Sequence, residues 1–129
     1  MAKILVIEDE EAIRDKIMTV LRYEGFETLG AAEGDEGIGV AADESPDLII
    51  CDVLMPRMNG YGALSALRAN EKTAAIPVIF LTAAASRADQ RKGMELGADD
   101  YITKPYTVDE LLSAVRTRLE RHSTIRDAS

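Results

Sequence analysis

The chain has a single cysteine, Cys51, among its 129 residues, which excludes an internal disulfide and a cysteine-rich zinc site. Long apolar runs are also missing. The longest, over residues 48–51 and 77–81, are strand-length and fall far short of the roughly 18 residues that a membrane-spanning helix needs. A strand-like segment comes first, rather than a basic stretch ahead of a long apolar one, so no secretory signal is expected. No stretch is rich in Pro, Ser or low-complexity sequence, which leaves no candidate for an internal linker. Basic residues are in deficit: 15 Lys and Arg against 23 Asp and Glu give a net charge of −8. Non-specific binding of nucleic acid needs clustered Lys and Arg to neutralise phosphates, and this composition argues against it. The expectation is a cytosolic protein of one domain, whose 47% hydrophobic residues suffice to bury a core.

The acidity is uneven. Residues 1–60 carry 14 acidic and 5 basic side chains, whereas residues 61–129 carry 9 and 10. Such an imbalance suits either a cation site or a solvated acidic surface.

Short apolar or β-branched runs alternate with helical patterns along the whole chain. Strands are expected over 3–7, 26–31, 47–51, 78–81 and 100–103. Several are apolar almost throughout, as parallel strands covered on both faces are. Ile13, Ile17, Val20 and Leu21 repeat at helical spacing before a stop at Gly25. Leu64 and Leu67 mark a helix after Gly60, and Asn59-Gly60 fits the turn into it. Ser86 and Asp89 open a further helix, over 87–96, that stops near Gly97. Val108, Leu111, Leu112, Val115 and Leu119 form the clearest stripe, opened by Thr107 and Glu110 in a Thr-x-x-Glu capping box. Residues 34–42 are helical by position only, because Gly34, Gly37 and Gly39 each cost about 1 kcal/mol against alanine in a helix interior. Five strand–helix repeats imply an α/β fold: a single (βα)5 doubly wound domain with a parallel sheet and helices on both faces. Ligands of such sheets gather beyond the carboxyl ends of the strands, where the winding reverses.

Those ends are chemically rich. The first strand runs into Glu8-Asp9, the third into Asp52 and the fourth into Thr82, and Lys104-Pro105 follows the fifth. Singly, each fits a helix cap, a helix lead-in or a solvent-exposed side chain. Together they place three carboxylates, a hydroxyl and an ammonium on one rim. Crowded carboxylates repel, and a hard cation relieves them; oxygen ligands without His or Cys suit Mg²⁺. This is equipment for phosphoryl transfer, in which a carboxylate can itself be the nucleophile.

Four ordered motifs carry a resemblance: Ile-Glu-Asp-Glu at 7–10, Cys-Asp-Val-Leu-Met-Pro-Arg-Met-Asn-Gly at 51–60, Leu-Thr-Ala at 81–83, and Gly-Ala-Asp-Asp-Tyr-Ile-Thr-Lys-Pro-Tyr at 97–106. Over residues 3–121 the chain resembles a response-regulator receiver domain of two-component signalling, of the chemotaxis-Y-like type. The resemblance implies a flavodoxin-like sheet in strand order 2-1-3-4-5, a receiver over 1–122, and a tail or linker start over 123–129. It makes Asp52 the phosphoryl acceptor and Asp9 a direct Mg²⁺ ligand. Glu8 then acts through metal-bound water, and the backbone carbonyl of Leu54 supplies a further metal ligand. Thr82 and Lys104 are the expected partners of the phosphoryl oxygens, Thr82 and Tyr101 the switch pair, and the Lys104–Pro105 bond is expected to be cis.

The implied function is a signalling switch, not an enzyme. A histidine kinase, a phosphotransfer protein or a small acyl phosphate donates to Asp52, and only self-phosphorylation and slow autodephosphorylation are expected. The new group adds up to about −2 charge and re-biases the face made by the 87–96 helix, the fifth strand and the last helix. Moving such an equilibrium from 1:99 to 99:1 takes about 5.5 kcal/mol, and charge-assisted hydrogen bonds at roughly 1.5–3 kcal/mol each supply much of it. That face then regulates a partner protein or an output domain absent from this chain. It is also a possible homodimer face, for which Asp99 and Asp100 are familiar, although Ala114 stands where an arginine is expected. No direct nucleic-acid or membrane binding is expected.

Other residues have plainer readings. Leu54 and Ala84, each two positions beyond a site residue, cannot orient a hydrolytic water, so the phosphoryl group is expected to last minutes or longer. Leu54 also stands where a phosphatase of the haloacid dehalogenase type needs a second acid, and the full acidic set argues against a pseudo-receiver that is never phosphorylated. Cys51 reads as a buried structural thiol. Arg116, Arg118, Arg121 and Arg126 read as charges that complement a helix C-terminus and balance Glu120 and Asp127, and His122 lies away from every motif.

Overall fold

The structure is a computed structural model that describes residues 1–83, 91, 92 and 94–128, with side chains through Arg121. Five parallel strands, β1 (Lys3–Ile7), β2 (Glu27–Ala31), β3 (Leu48–Asp52), β4 (Val78–Thr82) and β5 (Asp100–Thr103), form one sheet in the order β2-β1-β3-β4-β5. Between them run α1 (Glu11–Tyr23), α2 (Gly34–Glu44) and α3 (Gly60–Ala69), and a C-terminal helix spans Val108–Ala128. This is the doubly wound α/β fold expected. Arg91, Lys92, Met94 and Glu95 are helical ahead of Gly97 at φ 102°; the rest of the expected 87–96 helix, with Ser86 and Asp89, lies outside the described residues. The C-terminal helix continues over residues 123–128, where a tail or linker was expected to start.

Near-continuous apolar strands bury both faces. On one side Leu5, Ile7, Ile49, Cys51, Val78 and Phe80 pack with α2 and α3; on the other Ile4, Val6, Ile50, Ile79, Leu81 and Ile102 pack with α1 and the C-terminal helix. Alternate residues of each strand serve alternate cores. Each fully buried Ile, Leu or Phe contributes about 1.5–3 kcal/mol relative to exposure.

Two starts and one stop are as expected. The Asn59 side chain accepts from the Gly62 N–H at 3.0 Å and caps α3. Thr107 and Glu110 bond each other's backbone N–H at 3.0 and 3.2 Å, closing the capping box. Gly25 ends α1 at φ 95°.

The strand edges shift slightly: Phe26 and Asp47 precede their strands, while Asp52 and Thr82 are the last residues of theirs rather than the first beyond them. The glycine-rich segment is a full helix, and two of its three glycines stand at close approaches. A Cβ at Gly37 would overlap the Ile7 side chain, and one at Gly34 would press on Met58. At Gly60 a Cβ would come within 2.7 Å of the Asp52 carbonyl oxygen. That close approach seats the start of α3 against the end of β3.

Candidate phosphoryl-acceptor site

β1 lies between β2 and β3, so the winding reverses beside its carboxyl end. There β1 delivers Glu8 and Asp9, and the adjacent β3 delivers Asp52. One carboxylate oxygen from each of the three lies within 4.8 Å of the others. Glu8 and Asp52 are buried and Asp9 is half-buried. The Lys104 ammonium stands 3.8 Å from Asp52 Oδ2, brought in as the backbone N–H of Lys104 donates to the Thr82 carbonyl at 2.7 Å. The Lys104–Pro105 bond is cis. Thr82 is buried at the end of the neighbouring β4. Every residue named for the rim from the sequence thus sits on one side of the sheet.

The loop after Asp52 is pinned at both ends. Val53 N–H donates to the Leu81 carbonyl, and Gly60 N–H returns to the Val53 carbonyl at 2.8 Å. Between them the Leu54 side chain is exposed and Arg57 takes a left-handed φ of 68°. Ala84, the second position tied to phosphoryl lifetime, lies outside the described residues.

The electrostatics are unresolved by the protein itself. Glu8 Oε1 accepts from the Glu10 N–H at 3.2 Å, but the buried Oε2 has no hydrogen-bond partner among the described residues. Burial pushes the Glu8 carboxyl up to about 8. Asp52 acts in the same sense, through a proton the two can share and through charge repulsion, while the Glu10 N–H and Lys104 oppose it. Two facing carboxylates need either a proton or a cation between them. Cys51 is buried, its thiol donates to the Asp52 carbonyl at 3.3 Å, and burial raises its pKa, with the Asp52 and Glu8 charges adding to the effect. This is a structural thiol, as expected.

Tyr101 lies on β5 with its ring 5.4 Å from that of Phe80, and its hydroxyl donates to Tyr61 at 2.9 Å. Sequence reasoning missed Tyr61, which reads there as one more residue of a helix start. It also missed what Asp99 does. Asp99 Oδ2 accepts from Arg68 at 3.1 Å and from the Val78 N–H at 2.8 Å, so its carboxylate is occupied within the chain. Arg118 Nε lies 3.9 Å from Asp100 and Arg116 donates to Glu24 at 2.8 Å; these pairs are to acids elsewhere in the fold and not to the Glu120 and Asp127 expected. The side chains of His122 and Arg126 lie outside the described residues.

Comparison with known proteins agrees with this geometry. The family model of the response regulator receiver domain matches residues 4–116, and the chain belongs to that family: it is a receiver domain of two-component response regulators. It is 40% identical over its whole length to the DNA-binding dual master transcriptional regulator RpaA of Synechocystis sp., of which it covers 54%. It is 38% identical to the sensory transduction protein RegX3 of Mycolicibacterium smegmatis, over 99% of this chain and 55% of that protein. The chain therefore spans about half the length of the curated relatives it matches. Among solved structures, the chemotaxis protein CheY4 of Vibrio cholerae superposes with a TM-score of 0.87 at 32% identity, over 91% of this chain and 98% of that one. The receiver domain of the sensor histidine kinase PA1611 of Pseudomonas aeruginosa has a magnesium ion in its active-site cleft. It matches with a TM-score of 0.85 at 29% identity, over 92% and 98% of the two chains. Among the described residues, no helix is long and apolar enough to cross a membrane.

Proposed function

We propose that this receiver takes a phosphoryl group on Asp52 from a histidine kinase, a phosphotransfer protein or a small acyl phosphate. The observation that carries the reading is the buried Glu8 Oε2, without a hydrogen-bond partner among the described residues, beside Asp9 and Asp52, with the Lys104 ammonium on the same rim. An all-oxygen donor set with an orphaned carboxylate atom fits a hard divalent cation. Asp9 and Asp52 would hold Mg²⁺ directly, Glu8 through water, and the Leu54 carbonyl would complete the protein's share. Bound there, Mg²⁺ supplies charge neutralisation for the phosphoryl oxygens.

The chain's own groups divide the remaining work. An Asp52 carboxylate oxygen attacks phosphorus, the donor's P–N or acyl P–O bond breaks, and the leaving group departs with the electron pair. Lys104 is the fixed cation for the oxygens of the transferred group. Thr82, at the end of the adjacent strand, offers a hydroxyl to the new phosphoryl group, and Tyr101 reorients with it. The exposed Leu54 side chain cannot position an attacking water, so the aspartyl phosphate survives for minutes or longer.

The regulated face is that of the 87–96 helix, β5 and the C-terminal helix. Its output is either a separate protein or a domain joined beyond residues 123–129, in keeping with the transcriptional regulators this chain resembles. A homodimer through this face would have to form without an arginine at Ala114. We place the domain in the cytoplasm, where kinase and target meet. Intact mass after treatment with phosphoramidate and Mg²⁺ tests the reading: one added phosphoryl group supports it, and an unchanged mass under conditions that label a known receiver overturns it.

A further inference from the structure

Tyr61 is the second residue of α3 and belongs to none of the motifs that mark the acceptor site. Its ring meets Phe80 edge-on, with centroids 5.4 Å apart and planes at 81°. Phe80 is in turn the sheet neighbour of Tyr101, and the two rings lie 5.4 Å apart at 60°. The triangle closes where the Tyr101 hydroxyl donates to the Tyr61 hydroxyl at 2.9 Å. The Lys92 ammonium sits over the Tyr61 ring, 5.1 Å from its centroid, a cation–π contact from the helical segment that precedes β5.

Tyr61 is also tied to the acceptor. Gly60, its neighbour, donates to the carbonyl of Val53, the residue after Asp52. Gly60 has no room for a Cβ because the Asp52 carbonyl, Phe80 and Val53 crowd it. The backbone at the acceptor and the ring of Tyr61 therefore cannot move independently by much.

We propose that Tyr61 is a positioning residue for Tyr101: its hydroxyl holds the Tyr101 ring in one orientation, and so sets how readily that ring changes place when Asp52 is modified. This rests on the reading of Asp52 as acceptor and Tyr101 as switch. The physical requirement is differential: the hydroxyl–hydroxyl bond exists in the orientation described here and is broken or replaced in the other. Losing one hydrogen bond from one of two states changes their ratio by roughly two- to tenfold. The Lys92 contact extends the effect to the segment before β5, whose position then follows the state of the tyrosine pair.

The test is a double-mutant cycle read by the affinity for beryllofluoride at saturating Mg²⁺, using wild type, Tyr61→Phe, Tyr101→Phe and the double variant. Phenylalanine keeps each ring and its packing, so all four proteins should melt within a few degrees of one another. The expected result is a shift of roughly two- to tenfold in Kd for each single variant, in the same direction, with the double variant no further displaced than the larger single. Ring resonances of Tyr101 should move in Tyr61→Phe before any ligand is added. Unchanged affinity in Tyr61→Phe, or a double variant equal to the product of the singles, overturns the coupling. So does a lowered melting temperature with unaltered Kd, which marks a packing role only. If wild type binds no beryllofluoride, the acceptor reading fails and the coupling falls with it; binding with independent singles overturns the coupling alone.

Discussion

Two charge clusters sit at opposite edges of the same sheet, and they are built on opposite terms. At the amino edge, Arg68 from the end of α3 makes five hydrogen bonds: to the carbonyls of Ala74 and Ile76, twice to Gly97, and to Asp99. Asp99 is itself finished by the Val78 N–H. At the carboxyl edge, Glu8 keeps an oxygen with no partner among the described residues and Lys104 stands 3.8 Å from Asp52. The amino-edge cluster balances one Arg against one Asp, whereas the carboxyl edge sets three carboxylates against one ammonium. The first cluster is satisfied and holds α3 to the starts of β4 and β5; the second is left incomplete among the described residues, which is what the proposed cation and phosphoryl group require. Excess negative charge together with incomplete hydrogen bonding separates the second cluster from the first.

The largest expected contrast concerns chemistry. Asp52→Asn should abolish the mass gain from phosphoramidate and Mg²⁺ completely, whereas Arg68→Ala should leave the folded protein able to acquire it. Labelling of Asp52→Asn at an unaltered level would break the comparison at its functional end.

Stability should respond in the reverse order. Removing one partner of a buried pair costs about 3–5 kcal/mol. The Arg68 and Asp99 side chains are 22% and 34% exposed, so Arg68→Ala falls between that range and the range of surface pairs, about 2 kcal/mol by urea unfolding. A loss below about 1 kcal/mol, the range of surface pairs, would show that the amino-edge cluster is not the fastening it looks to be.

The third contrast is one of pH. The Glu8 carboxyl is raised in the folded state from 4.5 to about 8, so between those values the folded protein holds a proton that the unfolded chain has released. From this group, stability without metal falls as pH rises through that window and is greatest below 4.5. Glu8→Gln should flatten this slope and leave the variant the more stable protein near pH 8. Millimolar Mg²⁺ should flatten it in wild type, because the cation takes the proton's place. Unfolding curves at pH 5, 6.5 and 8, with and without Mg²⁺, check both.

The smallest effect sets a baseline away from either cluster. Gly39 is the exposed glycine of α2, and a Cβ added there would meet nothing within 4 Å. Gly39→Ala should therefore stabilise by about 1 kcal/mol, while Gly37→Ala, which would overlap Ile7, should destabilise. Thermal melts of the two variants beside wild type check the signs.

The two clusters also differ in how far they could be read in advance. The carboxyl-edge residues announce themselves because each ends or follows a strand, so the strand pattern alone sends Glu8, Asp9, Asp52 and Lys104 to one rim. Arg68 and Asp99 carry no such signal: they are 31 positions apart, one in a helix's last turn and one before an edge strand. Tyr61 and Tyr101, 40 positions apart, are invisible as a pair for the same reason. The glycines of α2 misdirect in a third way, since propensity counts their entropy cost and cannot see the Ile7 side chain that Gly37 accommodates.

What the amino-acid sequence determined by itself is whatever depends on local order: five apolar strands, the stripes and caps of the helices between them, and the side of the sheet on which the acids emerge. Periodicity and chain direction dictate these, and both are written in consecutive residues. What only the tertiary structure decided is which polar atoms end up satisfied. That depends on distances between residues far apart along the chain, and so on packing, which left Arg68 with a full set of partners and Glu8 with one oxygen unclaimed among the described residues.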